Sequence, residues 1–273
     1  MFFLGSAYPT GKLGINASVP PILFGALRMG IVFLCLYPFC KIILPNKKYI
    51  LPLLGFSFSM GVCVNLFLYL SVNASSIMSP LVIGAQLSIP IGIILSSIFI
   101  GESINYKKWI LIFTSLLGII LIGFDPKIAD EIIGFLLICG MAFFYGSSQV
   151  FSRYLKDLDV KFTSASMGFI AFIILLIASI FFEGNTISHL KNLNLEAWLM
   201  VLHAGILCSL FGHMSMFYLY KFYPVGQVLP FYALFPVFGM LLSFFIFGEI
   251  PTLIMVIGGI IVISSVFLLQ KVR

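Results

Sequence analysis

Residues 163–182, TSASMGFIAFIILLIASIFF, form an apolar stretch without a charged side chain. A helix of about 20 such residues crosses the hydrocarbon core of a bilayer. The rest of the chain has the same character, since 61% of its 273 residues are hydrophobic and 9% are charged. A soluble domain carries about 25% charged residues. We therefore predict an all-α membrane protein and expect little room for a separate soluble domain within this chain.

Polar breaks divide the chain into ten apolar segments. They are 2–17, 21–44, 50–71, 77–100, 108–124, 131–152, 163–183, 197–220, 224–247 and 252–270. The first segment is short for a membrane span and contains Pro9, so we expect its helix to be truncated at the start; the alternative is a helix tilted into a thin part of the bilayer.

Positive charge is distributed unevenly between alternate loops. With the N-terminus in the cytoplasm, eleven Lys and Arg fall on the inside and two, Lys127 and Lys191, on the outside. The inside set is Lys41, Lys47, Lys48, Lys107, Lys108, Arg153, Lys156, Lys161, Lys221, Lys271 and Arg273. Because positive loops remain cytoplasmic, we expect both termini inside. The same rule explains the net charge of +6 without a nucleic-acid partner.

The sequence lacks the common motifs of nucleotide-hydrolysing enzymes and metalloproteins. There is no phosphate-binding P-loop and no H-E-x-x-H pair. Five cysteines lie in apolar runs without a CxxC pair, which indicates packing residues rather than disulfides or metal ligands. We expect no catalytic residues, no metal and no cofactor.

Two blocks of residues recur in the second half of the chain. Residues 2–6, FFLGS, match residues 143–147, FFYGS, and Lys12 falls opposite Arg153. Gly92, Ser96, Gly101 and Glu102 recur 147 residues later as Gly239, Ser243, Gly248 and Glu249. Five helices per unit make the second copy inverted in the membrane, as in secondary transporters. We predict ten helices in two inverted repeats, 1–125 and 131–273, around a central cavity; the alternative is chance recurrence in apolar sequence.

These motifs, in this order, resemble the EamA branch of the drug/metabolite transporter superfamily. Residues 20–125 are most similar to bacterial exporters of cysteine and O-acetylserine, with PILFGALR at 21–28 resembling the start of their second helix. Phe247-Gly248-Glu249 resembles the acidic turn before the last helix, whereas Leu4 stands where the family usually has Trp. The resemblance implies a carrier in the bacterial inner membrane that moves small metabolites, often outward, by proton-linked or facilitated transport.

Polar side chains within the apolar segments are the candidate substrate-binding residues. Arg28 lies about eight residues into the second segment, where a cation is costly unless it faces a partner or a watery cavity. Its guanidinium suits a substrate carboxylate; the alternatives are snorkelling or a structural clamp on helix-end carbonyls. The other candidates are Asn65, Tyr69, Gln86, Tyr145, Gln149, His213 and Tyr232. Each also suits helix-to-helix hydrogen bonding, and His213 also suits a proton relay.

Two features of the fourth and ninth segments bear on helix geometry. Pro90 and Pro236 each remove a helix hydrogen bond and are expected to kink these helices. Glu102 and Glu249 follow the two segments, and we expect each to cap the helix that comes next along the chain.

The sequence thus predicts a secondary transporter that exports amino acids or related small metabolites by alternating access. We expect a monomer or homodimer whose partners are the bilayer and a small-molecule substrate, with no nucleic acid. An importer of the same superfamily, a membrane-embedded enzyme and an accessory subunit are the alternatives.

Overall fold

The structure is a computed structural model that describes residues 1–40 and 45–272. Lys41 and Arg273, two of the cations in the predicted inside set, lie outside the described residues. Within these ranges the regular structure is helical, and helix occurs in each of the ten apolar segments. Seven helices are long and apolar enough to cross a membrane. The number of crossings therefore remains a prediction at three segments.

We number the helical segments α1–α10 in chain order. They are α1 (Phe2–Gly5 and Ala7–Asn16), α2 (Pro21–Phe39), α3 (Lys47–Ala74), α4 (Ser79–Ile100), α5 (Tyr106–Gly123), α6 (Ile132–Tyr154), α7 (Val160–Phe182), α8 (Leu195–Leu219), α9 (Val225–Val228, Leu229–Leu234 and Phe235–Phe247) and α10 (Leu253–Lys271). Short helices Pro126–Ala129 and Thr186–Lys191 lie in the connections before α6 and α8.

The largest helix interfaces join α2 with α7, α5 with α10, and α6 with both α3 and α4. Glycine permits the closest crossings. A Cβ built on Gly5 of α1 would lie 2.6 Å from the Phe235 carbonyl oxygen of α9. A Cβ on Gly146 of α6 would lie 2.9 Å from the Ser88 carbonyl oxygen of α4. Small residues at a helix crossing permit this approach, which brings α1 against α9 and α6 against α4.

Four of the helices are irregular near their middle. In α4, a 3-10 turn at Ala85–Leu87 precedes Pro90, and in α9 a 3-10 segment at Leu229–Leu234 precedes Pro236. The expected proline kinks are therefore helix interruptions. Because a proline has no N–H, the helical hydrogen bonding before it is readily rearranged. In α3 and α8 the interruptions are π-helical, at Ser57–Cys63 and His203–His213.

Candidate functional site

Arg28 is the charged side chain at the centre of the helical bundle. It lies in α2, is 2% exposed, and donates from Nε to Ser209 Oγ at 2.9 Å and from Nη1 to the Tyr69 hydroxyl at 3.2 Å. Both of these partners are uncharged hydroxyls on α8 and α3. The side chain therefore neither snorkels to an interface nor clamps a helix-end carbonyl, and its positive charge is held by hydroxyl dipoles.

An aromatic group with one histidine lies beside Arg28. The Tyr232 hydroxyl is 2.8 Å from His213 Nδ1, and the Tyr145 hydroxyl is 3.5 Å from the same nitrogen. The Tyr145 and Tyr232 rings lie 4.9 Å apart between centroids. His213 therefore has one good hydrogen-bond partner, Tyr232, and one at the limit of the usual distance. The group joins α6, α8 and α9.

These side chains line a small internal cavity of about 30 Å³. Its wall includes Arg28, Tyr145, His213 and Tyr232, together with Tyr8 of α1. The other lining residues are Leu4, Ala7, Val64, Leu68, Ala85, Ser88, Met141 and Phe235. A cavity of this size has room for one or a few water molecules. The cavity is therefore too small for an amino acid in this conformation, and it is lined by one cation, several hydroxyls and apolar walls.

The three amide candidates are turned towards the protein backbone. Asn65 Nδ2 donates to the Gly61 carbonyl of its own helix at 2.8 Å. Gln86 Nε2 donates to the Tyr232 carbonyl of α9 at 3.2 Å, and Gln149 Nε2 donates to the Tyr145 carbonyl at 3.1 Å. None of the three is among the residues around the 30 Å³ cavity, although Asn65 lines a neighbouring void of about 10 Å³. These contacts fit helix-to-helix or intrahelical hydrogen bonding.

Sequence reasoning missed Ser209 and Tyr8. Ser209 holds Arg28 because the π-helical segment of α8 turns its hydroxyl inward, and no local pattern of residue types marks that segment. Tyr8 lies two residues after the repeated Gly5-Ser6 pair, and its closeness to this repeat is the sequence signal that could have marked it as a site residue. His203 is near the site too, with Nε2 3.3 Å from Ser6 Oγ.

Glu102 and Glu249 do not cap the helices that follow them. Those positions are taken by Asn105, whose Oδ1 accepts from Lys108 N, and by Thr252, whose Oγ1 accepts from Met255 N. Glu102 instead accepts from the amides of Val225 and Gly226 at the start of α9. Glu249 accepts from the amides of Met78 and Ser79 at the start of α4. Each glutamate therefore caps the start of a helix that is distant in sequence: Glu102 caps α9, and Glu249 caps α4.

Over the part of the chain that the structure describes, no three His, Cys, Asp or Glu side chains are grouped so as to hold an ion. What the site offers is binding: a buried guanidinium for an anionic group, hydroxyl donors and acceptors, and aromatic and aliphatic walls.

A helical membrane protein with a central cavity that contains a few polar side chains is typical of a carrier. The comparisons with known proteins agree. The chain belongs to the EamA-like transporter family, whose sequence model matches residues 1–124 and 132–270. It is 24% identical over 276 residues to the Uncharacterized transporter YdfC of Bacillus subtilis (strain 168), covering 96% of this chain and 85% of that protein. A solved crystal structure superposes with a TM-score of 0.65 at 17% identity, covering 99% of this chain and 96% of the other, and shares the fold.

Proposed function

We propose that this protein is a secondary transporter that exports amino acids or related small metabolites across the bacterial inner membrane by alternating access. The observation that carries the proposal is Arg28. A guanidinium held by two hydroxyls at the centre of a membrane protein keeps donors free for a carboxylate, to which its planar fork can donate two parallel hydrogen bonds.

The proposal includes ten membrane-spanning helices in two inverted repeats. Matching contacts in the two halves support it, since Gly5 meets Phe235 and Gly239 as Gly146 meets Ser88 and Gly92. The interruptions in α4 and α9 fall at corresponding positions as well. Interrupted helices in corresponding positions of the two halves are typical of a substrate site in a transporter built from inverted repeats.

Each cavity residue has a role in this proposal. Arg28 binds the carboxylate, and Tyr69 and Ser209 hold the guanidinium in place. Tyr145, His213 and Tyr232 shape the walls and contribute hydroxyl and imidazole hydrogen bonds to the cargo. Asn65, Gln86 and Gln149 stabilise the helices around the site. An amino acid is larger than the 30 Å³ cavity, so its binding requires the helices to separate.

The remaining parts of the proposal concern the environment of the carrier. Both termini lie in the cytoplasm, the molecule acts as a monomer or homodimer, and its partners are lipid and a small-molecule substrate. The uneven loop charge supports this orientation, because Lys and Arg concentrate on one side.

Counterflow in proteoliposomes tests the function directly. Vesicles preloaded with one compound are scored for uptake of the same labelled compound, over a panel of cysteine, O-acetylserine, threonine and aromatic amino acids. We expect specific accumulation without ATP for at least one compound. Silence across the panel, with protein shown to be folded, would contradict the amino-acid substrate class. Export is tested by release of the identified compound from expressing cells, and net uptake instead would identify an importer.

A further inference from the structure

Two glutamates tie the ends of α4 and α9 together in a reciprocal arrangement. Glu249, after α9, accepts from Met78 N at 2.8 Å and from Ser79 N at 3.2 Å. Glu102, after α4, accepts from Val225 N at 3.1 Å and from Gly226 N at 3.2 Å. The two glutamates are 147 residues apart in the sequence, and so are the two pairs of donor amides, so the same contact is made twice.

A left-handed glycine places each carboxylate. Gly101 ends α4 with φ of +78°, and Gly248 ends α9 with φ of +68°. Residues with a side chain rarely adopt this conformation, whereas glycine does so at little cost. The chain therefore turns sharply before each glutamate, which directs the carboxylate to the opposite helix instead of the next one along the chain.

Each contact has a cation bound to helix-end carbonyls nearby in the sequence. Lys12 Nζ donates to the carbonyls of Val72 at 3.2 Å and Ser75 at 2.5 Å, just before Met78. Arg153 Nη1 donates to the carbonyls of Tyr220 at 2.7 Å and Lys221 at 3.3 Å, just before Val225. The two cations are the pair that the repeat aligns. Each connection thus has a cation at the end of one helix and a glutamate at the start of the next.

The two contacts lie at opposite ends of the transport path. α4 has 22 residues, so Glu249 at its start and Glu102 after its end are about 30 Å apart along its axis. The cavity beside Arg28 lies between them and has a volume of about 30 Å³, which is too small for an amino acid. Both contacts are formed in this conformation.

We propose that the Glu249 and Glu102 contacts are the two gates of the carrier, and that opening either side requires one of them to break while the other stays formed. The inference rests on the proposed transport function, since gates matter only where cargo passes. In each gate a carboxylate meets the N-terminus of a helix, where negative charge is favoured, through charge-assisted hydrogen bonds. An amide at the same position weakens that gate alone.

Hydrogen–deuterium exchange on the full chain in lipid nanodiscs tests the reciprocity. In Glu249→Gln we expect the amides of Met78 and Ser79 to exchange about tenfold faster. The amides of Val225 and Gly226 should then exchange more slowly, because the population moves to the state in which the Glu102 gate is closed. In Glu102→Gln we expect the reverse pattern, with faster exchange at Val225 and Gly226 and slower exchange at Met78 and Ser79. Lys12→Met and Arg153→Met give a second variant at each gate.

Glu183→Gln is the matched control. Glu183 accepts from the amides of Ile22 and Leu23 at 2.6 and 2.9 Å, which is the same chemistry at the start of α2. We expect faster exchange at Ile22 and Leu23 only, because α2 and α7 are packed along their length.

Purely local effects in the gate variants, or faster exchange at both ends together, would overturn the proposal. Failure of both variants of one gate to fold would also overturn it, since a gate must open in a folded chain. Exchange is measured without cargo, so silence in counterflow leaves this result intact. Reciprocal changes in hydrogen exchange, together with no counterflow for any compound of the panel, would support the gates and contradict the proposed amino-acid substrate class.

Discussion

Arg28 places a full positive charge where removal from water is most costly, and the hydroxyls of Tyr69 and Ser209 replace part of the lost hydration. We expect an apolar side chain of the same length to serve a purely structural role as well, because even a buried ion pair can often be replaced by well-packed hydrophobic residues without loss of stability. This argument supports the proposal that the guanidinium binds an anionic ligand during transport.

Arg28→Met should separate stability from function. We expect the unfolding free energy in detergent to change by less than about 2 kcal/mol, while counterflow falls more than tenfold. Arg28→Lys is the control, since it keeps the charge and loses the bidentate fork, and it should retain weak transport. Thermal unfolding and counterflow on the same preparations give both quantities. A Met variant that transports as well as the parent would remove Arg28 from the binding site.

The Tyr232 and Tyr145 hydroxyls form a matched pair around His213. Tyr232→Phe removes a 2.8 Å contact and should lower stability by about 1 kcal/mol. Tyr145→Phe removes a 3.5 Å contact and should cost clearly less. Equal losses of thermal stability in the two variants would mean that His213 uses both hydroxyls alike.

Helix packing depends on glycines at two crossings that match between the halves of the chain. The nearest atoms to a Cβ on Gly5 or Gly146 belong to backbone, which cannot move aside without shifting a helix. The crossings α1–α9 and α6–α4 thereby fix how the interrupted helices lie around the cavity. Substitutions at these crossings therefore change the positions of the helices and leave the side chains that line the cavity unchanged.

Gly5→Ala and Gly146→Ala should each lower the unfolding free energy by about 1–3 kcal/mol. Gly259→Ala is the control, because its Cβ would lie 3.5 Å from the end of the Ile83 side chain, an ordinary contact. It should be neutral or stabilising, since alanine favours helix over glycine. Midpoints of thermal unfolding in one detergent rank the three, and a control that falls as far as the other two would contradict the packing argument.

The lengths of the apolar segments and the polar breaks between them were sufficient to predict the helical segments, because a bilayer forces each backbone to satisfy its own hydrogen bonds. The same local signals were insufficient for the glutamates after α4 and α9. Choosing between the next helix and a distant one requires the turn at Gly101 and Gly248 and the positions of helices far away in sequence. Tertiary geometry decides such contacts.

The candidate site was predictable in part. Arg28 stood out by its charge, and Tyr145, His213 and Tyr232 by their polarity at depth, and all four line the cavity. Gln86 and Gln149 carried the same signal but bond to backbone carbonyls. Polarity in an apolar segment thus marks a need for a partner, and the rotation of the helix decides whether that partner is the backbone or the cavity.

The orientation of the whole molecule can be measured in intact cells. Cysteines introduced by Ser188→Cys, between α7 and α8, and Lys156→Cys, between α6 and α7, are both at exposed positions. We expect an impermeant maleimide to label the first in intact cells and the second only after permeabilisation. The parent chain with its five native cysteines gives the background. The opposite labelling pattern would invert the proposed orientation.

The small central cavity also has an expected electrical consequence. We expect the buried guanidinium of Arg28 to repel protons and metal cations, as an arginine does in water-selective pores. With contacts formed at both ends of α4 and a cavity of about 30 Å³ between them, we expect no continuous column of water through this conformation. A carrier of the proposed kind would then leave the membrane insulating while it rests, so that the ion gradients of the cell are preserved.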